Sequence, residues 1–153
     1  MTKRINIART KPEAIKGLMM IGGYLAQGTL DKKLKELVKI RASQINGCAY
    51  CIDMHTQDAR KLGETEKRIY LLNAWKETNL YSQEERAALQ LTEEMTLIAN
   101  GGVQDDTYQQ AADLLGEEQY TELVMAIVAI NAWNRLTITA HAELTYNAET
   151  GAW

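Results

Sequence analysis

The chain has 153 residues, 46% hydrophobic and 24% charged, with a formal net charge of −3. Those values fit one soluble domain spanning residues 1–153, and a mildly acidic chain without a basic cluster excludes nucleic acid as the main partner. The basic start at residues 1–6 leads into no apolar run, and the longest near-continuous apolar run, residues 123–132, is about half a membrane span, so a cytoplasmic protein without a membrane segment is expected.

One Pro, no Phe and ten Gly, placed mostly between periodic segments, point to an all-α fold. Pro12 suits a first helical position, and Ile15, Leu18, Ile21 and Leu25 carry a helical stripe to about Gln27, with Gly28 as stop. Asp31 is the expected cap of a second helix with apolar positions at Leu34, Leu37, Val38, Ala42 and Ile45. Asn46-Gly47 breaks that helix. Asn46 is then the expected N-cap of a third helix, from Gly47 through two cysteines to Leu62, ended by Gly63. Thr65 opens a short helix with Ile69, Leu72 and Trp75. Ser82 with Glu85 matches a capping box and introduces Ala87, Leu89, Leu91, Met95 and Leu97, before the break at Asn100-Gly101-Gly102. Asp105 or Asp106 starts a helix ending near Leu115-Gly116. Glu117 and Glu118 then open a separate apolar helix through Leu123, Ile127, Ile130 and Leu136. Residues 145–153 have no clear period. Apolar stripes on nearly every helix, including Trp75, Trp133 and residues 123–130, exceed what a chain this size readily hides, and predict a closed homo-oligomer.

The two cysteines form Cys48-Ala49-Tyr50-Cys51, with His55 four residues after the second. On a helix, Cys48, Cys51 and His55 share one face, and a His at i+4 can take the proton of a cysteine thiol. Cβ atoms three apart on a helix stand about 5–6 Å apart, against about 3.5–4.5 Å in a disulfide, so a bridge forms with local adjustment. In a cytosolic chain that spacing suggests redox chemistry or metal. Two bland readings stand beside it: inert buried thiols, or zinc held by Cys48, Cys51, His55 and His141, whose second pair lacks the close spacing of zinc-finger ligands. Glu36 alone reads as a solvated carboxylate, and His141 has no partner in sequence. A helix start favours Cys48 as the nucleophile, whereas the His55 offset favours Cys51. We follow Cys51, because a specific partner outweighs a dipole that fades within one turn.

Glu36, twelve residues before Cys48, the run Ser43-Gln44-Ile45-Asn46-Gly47-Cys48-Ala49-Tyr50-Cys51, and His55 together resemble the alkylhydroperoxidase AhpD-like branch of the carboxymuconolactone decarboxylase superfamily. Ala59-Arg60-Lys61-Leu62-Gly63 and residues 130–135 continue the resemblance. It implies an all-helical single-domain bundle assembled as a homo-trimer or homo-hexamer, and cofactor-free, metal-free thiol-dependent reduction of peroxide, with an external dithiol or reductase as electron donor. By motif position it makes Cys51 the peroxide-reacting cysteine and Cys48 its resolving partner. His55 carries over as the relay base and Glu36 as the carboxylate that orients it. Tyr50 stands where AhpD proper has a second histidine, and an ordinary phenol pKa of about 10 makes it a poor proton shuttle at neutral pH. The decarboxylase branch acts on a lactone and has no use for a dithiol. The alternatives are a dithiol–disulfide adaptor that reduces a partner peroxidase, and a non-enzymatic oligomeric redox sensor.

Overall fold

The computed structural model of the protein describes residues 4–144, and all regular structure within them is helical. A short helix α1 (Ile7–Thr10) and a 3-10 turn (Pro12–Ile15) lead into α2 (Lys16–Gln27); α3 (Lys32–Asn46) and α4 (Ala49–Lys61) follow. Next come α5 (Glu66–Tyr70), a 3-10 segment (Leu72–Glu77), α6 (Gln83–Thr96), a 3-10 turn (Ile98–Asn100) and the long α7 (Asp105–Ala140). Residues 145–153, read above as aperiodic, lie outside the described residues.

Several predicted ends hold at atomic level. The Asp31 carboxylate accepts the Leu34 N–H at 2.9 Å, and Ser82 and Glu85 satisfy each other's backbone N–H groups in a complete capping box. Asn46 is a correction. It ends α3 rather than capping α4, because Gly47 takes a left-handed φ of 72° and turns the chain out of the helix. The Cys48 N–H then closes the turn onto the Ser43 carbonyl at 3.0 Å, and Cys48 itself becomes the N-cap of α4. The break expected at Gly116 holds: its φ/ψ of 71°/167° is non-helical and divides α7 at that residue into two helical stretches.

The central element is α3, which packs on α4, α6 and α7. Leu34 and Val38 meet Ala88 and Leu91 of α6 and Leu123 and Ile127 of α7 in one core. Leu37 and Ile40 meet Ala59, Leu72, Trp75 and Leu89 in a second. Each such aliphatic side chain contributes about 1.5–3 kcal/mol on full burial, so the α3 face alone anchors much of the bundle. Between α2 and α3 the chain is tied to α7 by Glu122. Its buried carboxylate accepts the N–H groups of Thr29 at 2.9 Å and Leu30 at 2.7 Å. Burial pushes that carboxyl up, but the two backbone hydrogen bonds outweigh it and hold Glu122 below the ordinary carboxylate range.

By length and composition α7 is apolar enough to cross a membrane, with a mean hydropathy of 1.4 over its best window, a third of which is buried. Leu123, Ile127 and Ile130 are core residues and Trp75 is buried as well, so the fold hides much of the apolar surface counted above as surplus. The exposed large apolar side chains among the described residues include Met19, Met20 and Tyr24 on α2, with Met20 75% exposed, and Val128, from that same run, and Ile138 on α7.

Candidate active site

Cys48 and Cys51 are joined by a disulfide across the first turn of α4, with their Cα atoms 5.4 Å apart. Both are buried, and they pack with Ala42 of α3 and Ile130 of α7. Four polar side chains hold the turn that delivers them. Asn46 Nδ2 donates to Asn131 Oδ1 and Asn134 Oδ1, each at 2.9 Å, and Asn134 Nδ2 donates to Ser43 Oγ at 3.0 Å. Sequence reasoning assigned Asn131 and Asn134 no role. The signal available was a pair of amides three residues apart on an otherwise apolar helix.

His55 lies one turn after Cys51 on the same helix, and Glu36 reaches it from α3. Glu36 Oε2 stands 2.7 Å from His55 Nδ1, while Glu36 Oε1 accepts from Lys39 Nζ at 2.7 Å. Burial raises the Glu36 carboxyl, but the His55 hydrogen bond and the Lys39 charge prevail and hold it below the ordinary 4.5. An ionised carboxylate at Nδ1 accepts a hydrogen bond from the Nδ1–H and so leaves Nε2 as the free lone pair. Nε2 has no hydrogen-bond partner among the described residues. The Glu36–His55 pairing expected only from resemblance is thus present as geometry.

Cys51, His55 and Glu36 line one cavity of about 660 Å³, bounded by residues of α2, α3, α4 and α7. Cys48 is not part of its wall. Tyr50 is, and it is 40% exposed. His141 is not, and it ends α7 as an exposed left-handed cap with a φ of 50°. The four residues weighed as zinc ligands are therefore not assembled: two share a disulfide and one lies elsewhere. Glu36, His55 and Asp58 do bring donor atoms within 4.8 Å of one another, but Lys39 and Lys61 already hold the two carboxylates. The arrangement equips one cysteine to exchange a proton with a fixed base inside an apolar chamber.

Comparison with known proteins places the chain in a family and a fold. Residues 12–94 match the carboxymuconolactone decarboxylase family. The Bacillus subtilis protein YdfG, uncharacterised, is 49% identical over 138 residues, covering 90% of this chain and 94% of its own. A crystal structure from Agrobacterium tumefaciens, of a protein of unknown function described as a candidate AhpD antioxidant defence protein, is 36% identical. It superposes with a TM-score of 0.90 over 95% of this chain and all of its own. An uncharacterised peroxidase-related protein from Ralstonia eutropha with an AhpD core shares the fold at 16% identity and a TM-score of 0.76, over 93% of this chain and 75% of its own. The chain belongs to the carboxymuconolactone decarboxylase family and has the AhpD-like fold.

Proposed function

We propose that the protein is a thiol-dependent peroxidase of antioxidant defence, cycling between the Cys48–Cys51 disulfide and the dithiol. The observation that carries this reading is that Cys51, and not Cys48, faces the cavity shared with His55 and Glu36. In the reduced protein His55 Nε2 takes the Cys51 proton, and Glu36 stabilises the resulting imidazolium. The thiolate attacks one oxygen of the hydroperoxide and the O–O bond breaks. Cys51 becomes a sulfenic acid, and the leaving alkoxide takes the proton back from His55 to depart as alcohol, or as water from hydrogen peroxide. The Cys48 thiol then attacks the Cys51 sulfur, forming the disulfide and releasing water. An external dithiol or reductase returns two electrons and two protons. The cytoplasm, whose thiol pools keep disulfides reduced, suits such a cycle.

Steady-state peroxide consumption with dithiothreitol tests it. Wild type should turn over, Cys51→Ser should be inactive, and Cys48→Ser should turn over more slowly, because dithiothreitol must then reduce the Cys51 sulfenic acid directly. Unchanged consumption in Cys51→Ser, or none in wild type, contradicts the proposal.

A further inference from the structure

The cavity is far larger than hydrogen peroxide needs. It holds about 660 Å³, whereas a molecule of water's size occupies about 30 Å³ and pockets for drug-sized ligands about 300–1,000 Å³. Much of its wall is apolar, formed by Leu25 of α2 and by Ala126, Ala129, Ile130 and Trp133 of α7. Gly22 leaves part of that wall empty: a Cβ added there would meet no atom within 4 Å.

The charged part of the wall comes from α3, where Lys32, Lys35 and Lys39 surround Glu36. Their spacing of three and four residues puts them on one face. These charges do not cancel. Glu36 is the one carboxylate in the wall, and its oxygens are taken by His55 and Lys39. Lys35 Nζ donates inward to the Leu25 carbonyl at 2.7 Å. Lys32 is exposed and has no carboxylate within 4.0 Å among the described residues. Lys35 also lies in the field of the buried Glu122 carboxylate, so Lys32 is the cation left to attract an anion to this wall.

We infer that the cavity takes the hydroperoxide of a long-chain carboxylic acid, with its apolar body against α2 and α7 and its carboxylate held by Lys32, beside Lys39. This names a substrate class and rests on the peroxidase reading. Oxygen transfer to the Cys51 thiolate converts such a substrate to the hydroxy acid, and the external dithiol then reduces the disulfide as above.

The product itself is the probe. Hydroxyoctadecadienoic acid and its methyl ester are titrated into the oxidised protein below their aggregation concentration, and binding is followed by the fluorescence of Trp133. The acid should bind at least about tenfold more tightly than the ester, as expected for a charge-assisted contact. Lys32→Gln should remove most of that difference, and Gly22→Leu, which fills the apolar wall, should weaken both ligands. Equal affinity of acid and ester overturns the inference. So does an acid preference that survives Lys32→Gln, or binding indifferent to Gly22→Leu. Turnover of the hydroperoxide of the same acid, with dithiothreitol as reductant, is measured separately: its absence fails the peroxidase reading, while the titration still decides the ligand class.

Discussion

Glu36 uses its two oxygens for different partners: Oε2 meets His55 Nδ1 and Oε1 meets Lys39 Nζ, both at 2.7 Å. The His55 hydrogen bond and the Lys39 charge together keep the carboxylate ionised despite burial, and the ionised carboxylate sets the imidazole tautomer. Glu36→Gln keeps the shape and removes the charge that stabilises His55 once it has taken a proton. Loss of an acid–base element of this kind typically costs about 10²–10⁴-fold in rate, so the variant should lose at least about tenfold in peroxide turnover while folding normally. Glu13→Gln, at an exposed position of the 3-10 turn before α2, should be silent. Equal turnover in both variants, measured under saturating dithiol, removes Glu36 from the mechanism. The pairing was legible in the sequence only through motif resemblance. Periodicity gives no reason to prefer Glu36 over other helix carboxylates, because its partner lies nineteen residues away on another helix.

Helix α7 positions the cavity through Glu122, which holds the α2–α3 connection by two backbone N–H groups while it is only 2% exposed. Glu122→Ala orphans both donors. At about 1–3 kcal/mol for each unsatisfied buried group, and about 2–4 °C of Tm per kcal/mol for a chain of this length, the melting temperature should fall by at least about 4 °C in a calorimetric scan. An unchanged Tm contradicts the staple. Element starts with a local chemical signature, such as Asp31, Thr65 and Ser82, were legible in the sequence. The α3–α4 boundary was not. Asn46 is a good cap by residue type, yet its amide is claimed by Asn131 and Asn134, 85 and 88 residues on, and Gly47 supplies the left-handed turn instead. A long-range polar contact of this kind leaves no trace in local pattern.

At the scale of the whole molecule, the hydrophobic surplus expected from the sequence is smaller, and only part of it lies in the residues that suggested it. Trp75 and the buried members of residues 123–130 belong to the cores, and Met19, Met20, Tyr24, Val128 and Ile138 remain exposed on the adjacent helices α2 and α7. Exposed apolar surface of this sort marks an interface, and we propose that a closed homo-oligomer buries it. Light scattering at micromolar concentration should return a trimer or hexamer mass, and Met20→Lys should shift the distribution toward smaller species. A monomer mass for the wild type contradicts the assembly.

The central claim, that Cys51 is the atom peroxide meets, is tested most directly by trapping its first product. Reduced Cys48→Ser protein, given one equivalent of hydroperoxide and then dimedone, should carry a single adduct, mapped by peptide mass spectrometry to Cys51. Reduced Cys51→Ser protein, treated alike, should carry none. An adduct on Cys48 in the Cys51→Ser protein, or none on Cys51 in the Cys48→Ser protein, would contradict the account.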